Sequence, residues 1–265
     1  MPTLSYHRPA SITEAARLAR DDPDAKLLAG GQSIIPSLKL GLLAPSALID
    51  LGGLPELRGV RLEGRSLRIG AITSHAEVAN SPEVRKHVPA LAHLAAGIGD
   101  RQVRNRGTIG GSLANSDPAA DYPAAVLGLG AEIRTDRRAI PADSFFKGLF
   151  ETALDPDEIL TAVEFPLPER AAYVKFPQPA SRFALVGVFL ALTGKSVRVA
   201  VTGAGPCAFR VAALEQALAK RFAPESLRDI TMPADSLNAD LHGSAEYRAH
   251  LIPVLTRRAV TQALA

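Results

Sequence analysis

Hydrophobic positions along this chain come in short runs, each broken by glycine, proline or charge, and the spacing of the runs changes character several times. The segment "ITEAARLARDD" reads as a helix: Ser11 and Glu14 form an S-x-x-E capping box at its start, and Asp22-Pro23-Asp24 ends it. From Ala25 short apolar pieces alternate with turn residues, "AKLLAGGQSIIPSLKLGLLAPSALIDL". This predicts a strand, a glycine turn, a short helical piece from about Ser33 and a strand at "ALIDL", making residues 1–56 a β-α-β-α-β unit. The next stretch, "VRLEGRSLRIGAITSHAEV", alternates as a hairpin of strands, and Ser81-Pro82 opens a helix expected to run through "EVRKHVPALAHLAAGI" despite Pro89. Strands are expected at "AEIRT", "RAIPADSFF" and "EILTAVEFPLP", with turns between them. The proline-rich "FPLPER" and "FPQPASRF" mark a boundary. Beyond about residue 180, "ALVGVFLAL" and "VRVAVTG" predict strands, and "AFRVAALEQALAKRF" and "SAEYRAHLIPVLTRRAVTQAL" predict helices. The pattern is mixed α and β in three units, 1–56, 57–177 and 178–265.

Composition narrows the class. With 265 residues, 47% hydrophobic and 22% charged, the chain can bury a sizeable core and is neither disordered nor fibrous. No apolar run approaches the length of a membrane span. The N-terminus lacks the apolar h-region of a signal peptide, so a cytoplasmic location is expected. A single cysteine, Cys207, excludes an internal disulfide and any cysteine-held zinc or iron–sulfur centre built by this chain alone. The net charge of +3 is dispersed and the aromatics, at 5%, do not interleave with it, which argues against nucleic acid as a partner. The six histidines show no ligand spacing among themselves and read as structural or surface residues, so no metal site is expected.

Three glycine clusters remain as candidate chemistry. "VTGAGPCAF" has the outline of a dinucleotide fingerprint at Gly203, Gly205 and Ala208, but Pro206 removes an amide donor and no βαβ unit surrounds it. A turn after a strand explains it better. "LLAGGQSIIP" runs from an apolar strand into Gly30-Gly31, where positive φ is accessible and successive N–H groups can point one way. With no lysine beside Ser33 it is not a P-loop; it is an anion cradle in outline, or a tight turn capped by Ser33. "RNRGTIGGSLANSDPAAD" places Gly107, Gly110 and Gly111 around Thr108 and Ser112, again with small side chains and expected open amides, and follows them with Asp117 and Asp121. Each aspartate reads as a helix cap, as a partner for ribose or ribityl hydroxyls, or as a partner for Arg104 and Arg106, since carboxylates would repel a diphosphate. Two such loops in one chain point to one extended dinucleotide held at two places, with Gly31 and Gly110 keeping the cradle clear of Cβ atoms.

These two loops, together with "DEILTAVEFPLP", "YVKFPQPASRFALVGVFLAL", "VTGAGP" and "LHGSAEYRAHLIPVLTRRAV", resemble in order the FAD-binding medium subunit of the molybdenum hydroxylases. This is the family of aerobic carbon monoxide dehydrogenase and of the xanthine dehydrogenase FAD domain. The resemblance implies a vanillyl-alcohol-oxidase-type fold, α+β, in which two α+β subdomains grip non-covalent FAD and a C-terminal α/β domain lies beside them. It implies that Leu27, Leu28, Ala29, Gly30, Gly31, Gln32, Ser33 and Ile34 line the pyrophosphate and ribityl region, and that Thr108, Ile109, Gly110, Gly111 and Ser112 form a second clamp. Asp121 would bond cofactor hydroxyls, Ile98 and Leu160 would pack near the rings, and Lys175 would lie by the isoalloxazine, where a cation raises the flavin potential. Arg182 stands where relatives often carry aspartate. The molybdenum cofactor and the iron–sulfur clusters are implied to sit on a large subunit and a small [2Fe-2S] subunit of a dimer of heterotrimers, with electrons passing through FAD to an external acceptor. The competing readings are a free-standing flavin oxidase or dehydrogenase of the same superfamily, and an assembly module that has lost the flavin.

Overall fold

The computed structural model describes residues 4–265; Met1–Thr3, where the stretch read for a leader begins, lie outside the described residues. The first unit is β1 (Ser5–His7), α1 (Ile12–Asp21), β2 (Lys26–Leu28), α2 (Ile34–Lys39) and β3 (Ala47–Asp50), with the strands parallel in the order β1-β3-β2. The Ser11 hydroxyl accepts the Glu14 amide at 3.1 Å, while the Glu14 carboxylate accepts from Ala10 N–H. Helix α1 buries Ala15 and Ala16 against Ile49, Leu51 and Leu54.

The second unit comprises β4 (Val60–Glu63), β5 (Ser66–Gly70), α3 (His75–Asn80), α4 (Pro82–His87), α5 (Pro89–Ala96), α6 (Arg101–Arg106), α7 (Ile109–Asn115) and α8 (Tyr122–Leu129). It continues with β6 (Glu132–Thr135), β7 (Ala139–Pro141), β8 (Phe146–Gly148), β9 (Glu151–Thr152) and β10 (Leu160–Pro166). Its sheet is antiparallel, in the order β4-β5-β10-β6-β7. Two expectations need correction here. The helix foreseen through Pro89 is two helices, because Val88 precedes a proline and is pushed out of the helical region to φ −140°, ψ 66°; Pro89 then starts α5. The tail of the expected hairpin, "HAEV", is helical, since Ser74 and Glu77 close a reciprocal capping box.

The third unit is β11 (Arg170–Pro177), β12 (Ala184–Thr193), β13 (Ser196–Thr202), β14 (Phe209–Arg210), α9 (Ala212–Lys220) and α10 (Ala245–Leu264). Its sheet is antiparallel, in the order β11-β12-β13-β14. Strand β11 pairs with β12 from Arg170 to Pro177, so this sheet begins ahead of the 177/178 boundary drawn from the prolines. Phe209–Arg210 form a strand where the start of a helix was expected. Both faces of this sheet are covered, which is why "ALVGVFLAL" is apolar throughout. On one face Val186, Val188 and Leu190 meet Leu251, Ile252 and Leu255 of α10. On the other, Phe189 and Ala191 join the core of the second unit with α8. That helix is buried at all eight positions, and a Cβ on its Gly128 would press on Phe189. No helix among the described residues is long and apolar enough to cross a membrane.

Phe189 is fully buried between β12 and α8. Phe189→Ala is expected to cost about 3–5 kcal/mol of folding free energy, measured by urea unfolding.

Candidate FAD-binding cleft

The two glycine loops meet. The first follows β2, and its Gly30 packs against the carbonyl of Arg106 and the Cα of Gly107, so closely that a Cβ at position 30 would overlap them. Beside this contact is a cleft of about 350 Å³ lined by Leu28, Gly30, Gly31, Gln32, Lys39 and Arg106, among others. Gly31 adopts φ +75°, the left-handed turn anticipated for a glycine. The amides of Gly30, Gly31, Gln32 and Ser33 have no acceptor among the described residues. Ser33 does not cap α2: its backbone is already helical and its hydroxyl makes no cap bond, so the plain capped turn is not what forms here. Unspent adjacent amides next to Lys39 and Arg106 are the donor set an oxyanion requires. Leu27 and Leu28 are half-buried in β2, Ala29 is half-buried in the turn, and Ile34 begins α2.

The second loop is built differently, and the expectation of open amides across it needs correction. Ser74 and Thr108 form an isolated antiparallel bridge. Around it Ile109 N–H donates to Thr73 O at 3.1 Å and Gly110 N–H to Ala71 O at 2.8 Å. Ser112 N–H bonds Thr108 O, and Gly111 N–H bonds the Thr108 hydroxyl, which caps α7. Gly110 is small so that α7 can approach Ala71, whose backbone and side chain a Cβ would strike, rather than to clear a phosphate cradle. Thr108 N–H keeps no acceptor among the described residues, and the Ser112 hydroxyl is likewise unspent.

Beyond α7 the chain turns at Asp117, whose carboxylate accepts from Ala119 N–H at 2.8 Å, as a turn cap does. Asp121 is different. It is 4% exposed and makes no cap bond to α8; its Oδ1 accepts from the Tyr173 hydroxyl and pairs with Lys175 Nζ at 2.9 Å. Burial pushes its carboxyl up, while Lys175 and the tyrosine hydroxyl pull it down. Lys175 Nζ also donates to Gly97 O and Arg182 O, each at 3.0 Å, so its charge is offset by Asp121 and held in one place. Arg182 sits at φ +63° and its guanidinium donates to Gly99 O, as does that of Arg104. Ile98 lies half-buried between Gly97 and Gly99, and Leu160 is buried at the head of β10 in the core beneath α7. Sequence reasoning passed over Tyr173 and Lys39, and weighed Arg106 only as a partner for Asp117 or Asp121. The available signal for Tyr173 was its spacing of two from Lys175 on a strand, which puts both on one face.

His75, read from sequence as structural or surface, is buried behind Gly107 and packs against Tyr122 in a tilted arrangement, ring centroids 5.3 Å apart. Burial, with the Arg104 charge adding to it, lowers its pKa to about 4, and its Nδ1 has no partner among the described residues to favour the charged form.

Unspent backbone amides beside two basic side chains in one place, and a buried carboxylate held by the C-terminal sheet in another, are set in an α+β frame. Residues 2–168 match the FAD binding domain in molybdopterin dehydrogenase, and residues 171–263 match the CO dehydrogenase flavoprotein C-terminal domain. The chain belongs to this family of oxidoreductase flavoprotein subunits. It is 38% identical over 277 residues to the nicotine 6-hydroxylase medium subunit of Paenarthrobacter nicotinovorans, covering 99% of this chain and 98% of that one. It is 36% identical over 281 residues to the carbon monoxide dehydrogenase medium chain of Hydrogenophaga pseudoflava, covering 100% and 98%. Its structure superposes on the carbon monoxide dehydrogenase of Hydrogenophaga pseudoflava lacking the Mo-pyranopterin moiety, with a TM-score of 0.88 at 36% identity over 100% of this chain and 98% of that one. It superposes likewise on quinoline 2-oxidoreductase from Pseudomonas putida 86, with a TM-score of 0.89 at 31% identity over 99% and 97%.

Two outcomes follow. Gly30→Ala puts a methyl group into the Arg106 carbonyl and should strip FAD from the purified protein, whereas Gln32→Ala keeps the backbone donor and should retain it; the flavin absorbance per chain reads both. For His75 the folded pKa lies near 4 against an ordinary 6.5, so between these values the unfolded chain binds the proton that the folded chain refuses. Its contribution is therefore level above pH 6.5 and declines as the pH falls, costing about 3 kcal/mol by pH 4. Urea unfolding across this range should show that slope in the wild type and its loss in His75→Phe.

Proposed function

We propose that this chain is the flavin subunit of a heteromeric molybdenum hydroxylase, receiving electrons from iron–sulfur clusters on a small [2Fe-2S] partner. The molybdenum cofactor would sit on a large partner, in a dimer of heterotrimers, and electrons would leave to an external acceptor. The observation that carries this reading is the run of unspent amides from Gly30 to Ser33 beside Arg106 and Lys39, a fit for a diphosphate. When bound, FAD supplies a store for two electrons between one-electron donors and a two-electron acceptor. In this reading the first loop, Leu27 to Ile34, holds the diphosphate and ribityl region, and Thr108 to Ser112 back it. Asp121 accepts a bond from a cofactor hydroxyl, Ile98 and Leu160 exclude water from the rings, and Lys175 fixes charge near them.

The need for partners is supported by the chain's own chemistry. Among the described residues no group of three or more His, Cys, Asp or Glu side chains could hold a metal, and Cys207 is the only cysteine. The matched relatives are named as a medium subunit and a medium chain, and the match runs the full length of both partners in each comparison. The substrate would then be chosen by the molybdenum-bearing chain.

Purification through a tag on this chain, from cells that make it naturally, tests the proposal. The expected result is co-purification of a large and a small subunit with about one FAD, molybdenum and iron–sulfur clusters per heterotrimer. A lone yellow protein that reduces an artificial acceptor with its own substrate would replace this reading with a free-standing flavin dehydrogenase.

A further inference from the structure

The stretch Asp117–Asp121 belongs to the FAD-binding unit by sequence, yet its bonds run largely to the other domain. Thr202, fully buried at the end of β13, has its hydroxyl 2.9 Å from Pro118 O and 2.6 Å from Ala120 O. Gly203 N–H donates to Pro118 O at 2.7 Å, and Tyr173 and Lys175 of β11 reach Asp121. Residues 173 and 175 lie two apart on one strand, and Thr202 stands on the same face of the sheet as Phe189, toward α8. The opposite face, carrying Ala172, Val199 and Val201, packs on α9 and α10. One face of the C-terminal sheet thus serves its own core, and the other grips the turn that ends in Asp121.

The carboxylate is held asymmetrically. Oδ1 takes both the tyrosine hydroxyl and the lysine ammonium, while Oδ2 accepts from no other residue among those described; the carboxylate's one further donor is Asp121's own backbone N–H. A buried carboxylate is strongly driven to satisfy all its acceptor positions. Saturating one oxygen from the C-terminal sheet orients the other and leaves it for a ligand donor.

We propose that Tyr173 is a positioning residue for FAD: from the C-terminal domain it fixes the Asp121 carboxylate so that Oδ2 accepts a hydroxyl of the cofactor, making the binding site a property of both domains. This rests on the FAD reading of the cleft. The groups facing Asp121 are Tyr173 and Lys175 from β11 and Tyr122 from its own helix, whose hydroxyl is buried without a partner among the described residues. Loss of the Tyr173 donor removes support for the ionised carboxylate, which must then take up a proton at higher pH.

The test is FAD affinity in the tagged complex, measured by titration from pH 4 to pH 8 for wild type, Tyr173→Phe, Asp121→Asn and the double variant. Tyr173→Phe is expected to raise the FAD dissociation constant about tenfold near neutral pH, the effect of one hydrogen bond to a charged group. It should also move the acid-side midpoint of FAD release to higher pH, with His75 unchanged in both proteins. In the Asp121→Asn background the same substitution should add little. Equal losses in both backgrounds, or an unmoved midpoint, would overturn the proposal and reduce Tyr173 to packing. If Tyr173→Phe does not assemble, Thr202→Val reads the same grip from a second strand: several-fold weaker FAD binding is expected, and unchanged affinity overturns it. A wild-type complex without FAD defeats the cofactor reading itself, a result separate from any of these.

Discussion

Helix α8 is the element on which the molecule depends. It is apolar on every side, so it cannot rest on one surface; it has to be enclosed, and the structure encloses it between the core of the second unit and the sheet of the third. That requirement makes the two domains a single packed body, with Gly128 thinned to let Phe189 in. It also fixes the start of the helix, where Asp121 stands, relative to strands β11 and β13. A carboxylate at that point can be buried only because the enclosing sheet brings a lysine and a tyrosine with it.

Much of this was legible in the residues. Local capping chemistry announced α1, and glycine with proline punctuation announced the β-α-β-α-β unit, because those signals act over a few residues and need no tertiary partner; that its strands pair in parallel came from the structure. The break at Val88 was legible in principle, since the proline rule is local, but the apolar continuity of "VPALAHLAAG" argued the other way and lost. The extent of the third sheet was hidden for a different reason. Prolines at 166, 168, 177 and 179 look like linker punctuation, while the strand between the inner two is recognisable only by its partner β12.

The site shows the same division. The two glycine loops stood out by their composition and they do meet, but which amides each loop keeps free was not readable. That depends on what backbone lies opposite: Thr73 and Ala71 consume the Ile109 and Gly110 donors, while the Arg106–Gly107 backbone packed on Gly30 takes none of the amides from Gly30 to Ser33. Asp117 and Asp121 are four residues apart and chemically identical. They are separated only by the neighbours the fold supplies: an amide of its own turn for the first, and a tyrosine and a lysine from another domain for the second.

The unequal bonding of the two loops has a thermodynamic consequence. Residues 108–112 are zipped to the 71–75 turn and enter a binding event already ordered, so little conformational entropy remains to be lost there. The first loop has no such brace, and the ordering cost of capturing an anion falls almost wholly on Gly30 to Ser33. In hydrogen-exchange terms the bonded amides of Ile109 to Ser112 form a wall expected to be slow, and the unbonded amides of Gly30 to Ser33 a wall expected to be fast until a ligand takes them up.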